Sequence, residues 1–173
     1  MIMKSKVFII ILAIATFVSC EKSPSVSEHE KIINNIMSQC KNFNSETLVQ
    51  GLPGKWERDS YLIYEDEWQN KFSVYMLQGV QHGAGLASSE LTFYADNNGF
   101  MYIINISLNP NANSHILNFD WYFDTDSHKL HLSGEEYNIE YMVSGFNNDY
   151  LVLDHHDAVN KQNIREIYKR IVE

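Results

Sequence analysis

Cysteine is scarce in this chain. Only Cys20 and Cys40 occur among its 173 residues. Two thiols exclude a framework of several disulfides, and their separation does not match the paired-cysteine spacing of a zinc site. Cys40 falls within an apolar pattern of helical period, so we expect it to be a small buried hydrophobic side chain.

Basic residues are also few. The chain has 13 Lys and Arg against 22 Asp and Glu, which gives a formal net charge of −9 at pH 7. The basic residues are scattered singly, apart from the adjacent pair Lys169-Arg170. An acidic surface without a basic stripe repels nucleic acid and anionic lipid head groups, so we predict that neither is a partner.

Motifs of catalysis are missing as well. The sequence has no Gly-x-Ser-x-Gly nucleophile motif, and no Lys-Ser or Lys-Thr follows its glycine-rich stretch 79–85. We interpret that stretch as a flexible loop, and the acidic run Glu65-Asp66-Glu67 as a solvated strand end. The sequence therefore predicts no catalytic residue, no cofactor and no enzymatic activity.

The densest group of metal-type side chains is Asp154-His155-His156-Asp157. Adjacent residues of a strand point to opposite faces, so only His155 with Asp157, or Asp154 with His156, can share a face. Two ligands do not close a metal site. We predict no metal here and interpret the stretch as a polar hairpin loop.

The N-terminus carries the longest apolar run of the chain. Lys4 and Lys6 precede the run Val7–Val18, and Ser19 stands before Cys20. A positive head, an apolar stretch and a small residue before the cut are typical of a secretory signal peptide, here residues 1–19. The run is shorter than a comfortable bilayer span, so we expect a tethered protein rather than an inserted one.

The ending Phe17-Val18-Ser19-Cys20 resembles the lipobox of bacterial lipoproteins. The resemblance implies cleavage before Cys20 and acylation of Cys20, and three acyl chains suffice for stable membrane attachment. The remaining 154 residues have a net charge of −11 because Lys4 and Lys6 are lost. Residues 20–27 then form a lipidated tether. We place the protein at the outer membrane of a Gram-negative cell, on the periplasmic side, because no strong acidic run follows Cys20.

A helix is predicted after the tether. Ser27 and Glu30 have the spacing of a capping box. The apolar positions that follow have helical spacing; they are Ile32, Ile33, Ile36, Met37 and Cys40. The pattern predicts a helix over 28–41, within a segment 28–49 of helix and linker, and Leu52-Pro53-Gly54 ends this part of the chain.

From residue 55 onward the apolar period changes to two. Alternating apolar runs separated by Asn, Asp and Gly turns predict eight or nine strands, and connections this short join antiparallel neighbours. In the first strand, the alternation predicts one face formed by Trp56, Arg58, Ser60, Leu62 and Tyr64. Residues 164–172 fit both a helix and a strand, and we predict a closing strand because it removes the unpaired edges of the sheet.

The start of this region, Gly54-Lys55-Trp56, resembles the first strand of lipocalin-like proteins, and Leu91–Asp96 and Tyr150–Leu153 are similar to their lipoprotein members. The resemblance implies an all-β, antiparallel up-and-down meander barrel over 50–173, preceded by one short α-helix. It implies that Trp56 plugs one end of the barrel beside Gly54. A late arginine, Arg165 or Arg170, would pack on the Trp56 ring.

Two functions follow from this fold. In the first, the barrel binds or carries a small apolar or amphipathic molecule among the rings of Phe100, Tyr102, Phe119 and Trp121. In the second, the protein is a structural or interaction lipoprotein whose barrel is filled by its own side chains and which contacts another envelope protein. We place the binding function first and expect a monomer.

Overall fold

The structure is a computed structural model that describes residues 26–64, 71–76, 88–104, 115–135, 137–158 and 161–172. The predicted signal peptide 1–19, the lipid-attachment residue Cys20, the acidic run 65–67 and the glycine-rich stretch 79–85 lie outside these residues. Within the described ranges, no helix combines the length and apolarity needed to cross a bilayer.

Two helices precede nine strands in the described part of the chain. The helices are α1 (Val26–Cys40) and α2 (Ser45–Gly51). The strands are β1 (Gly54–Tyr64), β2 (Lys71–Met76), β3 (Ser88–Phe93), β4 (Asn98–Ile104), β5 (His115–Asp124), β6 (Lys129–Ser133), β7 (Asn138–Phe146), β8 (Tyr150–Asp157) and β9 (Gln162–Ile171).

The strands form a closed antiparallel barrel. Each strand pairs with its neighbour in the order β2-β1-β3-β4-β5-β6-β7-β8-β9, and β9 returns to pair with β1. Strands β2 and β3 share one edge of β1, because β2 lies opposite Ser60–Tyr64 and β3 opposite Gly54–Glu57. Eight strands therefore close the barrel and β2 is an additional one. The predicted all-β fold and its closing strand are confirmed.

The two ends of the barrel differ. At the end where β1 begins lie helix α2 and the short turns that join β3 to β4, β5 to β6 and β7 to β8. Leu48 and Leu52 are fully buried there. We call this the closed end, and the end where β1 finishes at Tyr64 the far end.

A bulge in β1 divides its side chains between two cores. Arg58 pairs with Tyr168 but Ser60 pairs with Ile167, so Asp59 is an extra residue. Cross-strand partners lie on the same face, and consecutive residues of β9 lie on opposite faces. The single face predicted for β1 is therefore wrong. Trp56 and Arg58 point into the barrel, whereas Ser60, Leu62 and Tyr64 point outward.

Helix α1 covers the outward core. Ile33, Ile36 and Cys40 pack against outward side chains of β1, β8 and β9; these are Leu62, Tyr64, Val152 and Ile167. A Cβ on Gly145 of β7 would lie 2.8 Å from the Cβ of Cys40, so glycine allows this close approach. The helix begins at Val26, which corrects the predicted boundary of the tether at residue 27.

Helix α2 was not predicted, since it lies in the segment assigned to a linker. Asn44 precedes it, and its side-chain oxygen accepts a hydrogen bond of 2.8 Å from the backbone N–H of Thr47. The Thr47 hydroxyl accepts one of 3.2 Å from the backbone N–H of Asn44. This reciprocal cap satisfies two backbone donors that a seven-residue helix otherwise leaves unpaired.

Candidate functional site

The closed end is held by Trp56 and Arg170. The indole N–H of Trp56 donates to the carbonyl of Leu52 at 2.9 Å. The guanidinium of Arg170 lies 4.1 Å from the centre of the Trp56 ring, within the range of a cation–π contact. Of the two arginines suggested by the family resemblance, the structure places Arg170 in this position.

Arg170 also closes the end by hydrogen bonds. It donates to the carbonyls of Asn148 at 2.7 Å and Pro53 at 3.1 Å, and to that of Gly51. Gly54 has φ +138°, and a Cβ there would collide with the Arg170 side chain. Gly54 is thus required by both its backbone conformation and the approach of Arg170.

The closed half of the interior is filled by aromatic rings. Phe93 lies with its ring centre 5.4 Å from that of Phe119 and 5.7 Å from that of Trp121. The Trp121 indole N–H donates to the carbonyls of Tyr94 and Asn98, each at 3.2 Å. Phe119 and Trp121 therefore point inward, as predicted for ligand contacts, but they lie in the packed half.

Phe100 and Tyr102 lie on the outer face. Phe100 pairs with the exposed Asn118, and Tyr102 pairs with Ile116, which is 62% exposed. The inward residues of β4 are Gly99 and Met101, since Gly99 lies opposite Phe119. A Cβ at position 99 would meet the Phe119 ring at 2.5 Å.

The four predicted ligand residues thus do not share one face, and this part of the prediction is corrected. Phe100 instead borders a hollow of about 640 Å³ on the outer surface of β4, β5 and β6. Whether any of the four contacts a ligand stays a prediction.

A group of polar side chains lies inside the barrel, and we call it the inner polar cluster: Arg58, Tyr141, His155, Glu166 and Tyr168. Arg58 Nη1 donates to Glu166 Oε1 at 2.5 Å. The Tyr168 hydroxyl donates to Glu166 Oε2 at 3.1 Å, and His155 Nε2 lies 3.8 Å from the same oxygen. The rings of Tyr141 and His155 meet edge to face, with centres 5.2 Å apart.

Four strands supply this cluster, namely β1, β7, β8 and β9. The pairings place Arg58 beside Tyr168 and Leu153 beside Glu166, so their side chains share the inner face. The bulge follows Arg58 directly, which makes Arg58 the last inward residue before the frame of β1 changes.

Burial sets the electrostatics of the cluster. The side chains of Arg58 and Glu166 are 15% and 7% exposed. Burial raises the pKa of Tyr141 well above its usual value, and the neighbouring Glu166 and Tyr168 raise the pKa further. Tyr141 therefore keeps its proton and remains a neutral hydrogen-bond donor at physiological pH.

A second ion pair lies on the outer side of the same strands. Arg165 donates to both carboxylate oxygens of Asp154, from Nε at 2.7 Å and from Nη2 at 2.6 Å. The Ser144 hydroxyl also donates to Asp154. This pair joins β7, β8 and β9 without facing the interior.

The sequence 154–157 belongs to strand β8, so its interpretation as a hairpin loop is wrong. Its residues alternate as a strand requires, with His155 inward and Asp154 and His156 outward. No group of three or more His, Cys, Asp or Glu side chains suited to a metal ion occurs in the described part of the chain.

The fold and the site define a class of protein: a closed antiparallel barrel whose packed interior at one end gives way to a buried charged cluster. Among solved structures, the barrel is similar to a deswapped triple mutant of bovine odorant-binding protein, with 11% sequence identity and a TM-score of 0.40. The likeness covers 71% of this chain and 76% of that chain. No protein-family model and no curated protein matches the sequence.

Proposed function

We propose that this protein is a lipid-anchored binding protein of the cell envelope, whose barrel holds a small apolar or amphipathic molecule without transforming it. The ligand lies in the far half of the barrel, with its polar end at the inner polar cluster. The single observation that carries this proposal is the buried ion pair of Arg58 and Glu166 on the inner face of the barrel.

A buried ion pair is a poor means of stabilising a fold. The desolvation of two charges offsets most of their attraction, and apolar residues of similar volume are often as stabilising or more so. The closed half of this barrel follows that rule, because rings and leucines fill it. The charged groups of the far half therefore support a role in binding rather than in folding.

The far half also has the accessibility that a binding site needs. Inward Leu117 and Ile139 are only half-buried, and the His155 side chain is 22% exposed, whereas Leu91 and Leu151 near the closed end are fully buried. Apolar walls beside a few convergent polar groups are typical of small-molecule sites.

The binding experiment uses the full chain in phospholipid nanodiscs and a photoreactive apolar probe. We expect labelling of peptides from β7 and β8 that carry inward residues, and competition by unlabelled amphiphiles. The double variant Arg58→Gln/Glu166→Gln should weaken the competing amphiphiles about tenfold. The matched control is Asp154→Asn/Arg165→Gln, which removes the outer ion pair of the same strands and should leave competition unchanged. Equal losses in both variants would contradict the proposal.

The anchoring part is supported by the N-terminal sequence and has its own test. Intact mass of protein recovered from membranes should show the loss of residues 1–19 and the addition of three acyl chains. Cys20→Ser should abolish both changes. A recovered protein that keeps its first 19 residues and carries no acyl chain would refute this part alone.

A second candidate function is contact with another envelope protein, and the outer face favours it. Four large side chains are exposed, with Tyr122 at 58%: Ile116 and Tyr122 on β5, Met142 on β7, and Tyr94 in the turn after β3. Tyrosine and methionine are enriched at interfaces. A barrel that no apolar probe labels, together with a crosslink in cells that Tyr122→Ser and Ile116→Ser remove, would favour this function.

A further inference from the structure

We infer that the ligand's polar end is an uncharged hydrogen-bonding group, such as a hydroxyl, a carbonyl or an amide, and that Tyr141 and His155 bind it. The inference rests on the proposed function and names the ligand class of the same site. It follows from the charges in the inner polar cluster, which balance each other, and from the neutral side chains that lie beside them.

The charged members of the cluster are committed to each other. Glu166 receives Arg58 on one carboxylate oxygen and the Tyr168 hydroxyl on the other. One positive and one negative charge thus cancel in the buried interior. A ligand carboxylate would have to displace Glu166 from Arg58 and would leave one negative charge in excess. A ligand ammonium would leave one positive charge in excess, and either excess is costly away from water.

The uncharged members of the cluster can donate hydrogen bonds to a ligand. Tyr141 is 3% exposed, and burial keeps its hydroxyl protonated. His155 contacts the Tyr141 ring and lies 3.8 Å from Glu166, which is too long for a hydrogen bond.

Other inward ionisable residues do not change this balance. In the described strands they include Arg170, at the closed end and bonded to backbone carbonyls, and Asp157 and His115, at strand termini of the far end.

The test compares three amphiphiles of one chain length, dodecanol, dodecanoate and dodecylamine, as competitors of the photoreactive apolar probe on the full chain in nanodiscs. Competition is measured on labelled inward peptides and corrected with empty nanodiscs. We expect dodecanol to compete at least tenfold better than either charged amphiphile. Stronger competition by dodecanoate would overturn the inference and identify Arg58 as an anion site.

Variants test the two halves of the argument. Tyr141→Phe should weaken dodecanol fivefold to tenfold and leave labelling by the apolar probe unchanged. The control Tyr137→Phe removes a hydroxyl that donates to the Asn118 carbonyl and should change neither. Glu166→Gln should raise the affinity for dodecanoate at least tenfold, since it leaves Arg58 as an uncompensated charge. If Glu166→Gln does not fold, the comparison of Tyr141→Phe with Tyr137→Phe still tests the inference.

The possible failures are distinct. If the probe labels no inward peptide, both the proposed function and this inference are contradicted. If the probe labels the interior but Tyr141→Phe leaves dodecanol unchanged, the barrel binds ligands and only the assigned polar contact is wrong. His155→Gln removes the inward imidazole, and a gain in dodecanoate binding on this change would also contradict the assignment.

Discussion

Arg170 gives the sharpest test of how the closed end is stabilised. Arg170→Met keeps the aliphatic stem but removes the guanidinium, which lies over Trp56 and donates to three backbone carbonyls. The cation–π contact contributes about 0.5–2 kcal/mol. A hydrogen bond from a charged group contributes about 1.5–3 kcal/mol when buried, and less here because Arg170 is half-exposed. We expect Arg170→Met to lower the free energy of unfolding by about 3 kcal/mol in total.

The measurement is urea unfolding followed by circular dichroism, with the free energy of unfolding taken at constant m-value. In a domain of this size, 3 kcal/mol corresponds to a fall in Tm of roughly 6–12 °C. Arg170→Lys should recover less than half of the loss, because an ammonium cannot reach several carbonyls at once. The control is Lys169→Met, an exposed neighbour, which should change stability by less than about 0.5 kcal/mol.

Two outcomes would refute this reasoning. If Arg170→Met unfolds within about 0.5 kcal/mol of the unmodified chain, the contacts at the closed end do not contribute as their geometry indicates. If Arg170→Lys restores full stability, charge alone matters and the planar fork of hydrogen bonds does not.

Two further predictions concern single titratable groups. Burial raises the pKa of the Cys40 thiol to about 11. In the Cys20→Ser chain, a thiol reagent at pH 8 should therefore modify no cysteine in the folded protein and one cysteine after denaturation. Rapid modification of the folded chain would contradict the packing of α1. Burial also raises the pKa of Asp59, and the nearby Lys169 only partly opposes this shift. A raised carboxyl pKa in the folded state reduces stability as pH rises above the unfolded value, so Asp59→Asn should stabilise the chain at pH 7 and the gain should shrink toward pH 4. A loss of stability at pH 7, measured as the urea midpoint, would show that the attraction to Lys169 dominates.

The strands could be predicted because their signal is local. Apolar residues alternate in β5 through Leu117, Phe119 and Trp121, and the structure turns all three inward, burying the last two and exposing the polar residues between them. The same rule failed in β4, where Phe100 and Tyr102 were assigned to the interior. There the strand pairing puts Gly99 on the inner face, where a Cβ would collide with the Thr92 carbonyl oxygen and the Phe119 ring, so hydrophobicity alone points to the wrong face.

Local sequence patterns could not predict the inner polar cluster. Arg58 and Glu166 are 108 residues apart, and only barrel closure brings β1 beside β9. One signal is present in the sequence: the alternation puts Arg58 on the same face as Trp56 and Leu62. The bulge at Asp59 left no mark in the alternation, since the residues on both sides of it are buried in one core or the other.

The extra residue Asp59 limits which insertions and deletions strand β1 can accept. The even-numbered residues of β1 face the barrel interior before Asp59 and helix α1 after it, so the strand contributes to both cores. Deleting Asp59 would turn Leu62 and Tyr64 into the barrel interior and remove their contacts with helix α1. The spacing of this strand is therefore under a constraint that side-chain substitution cannot relieve, and a change in the length of the segment would disturb the helix and the lumen together.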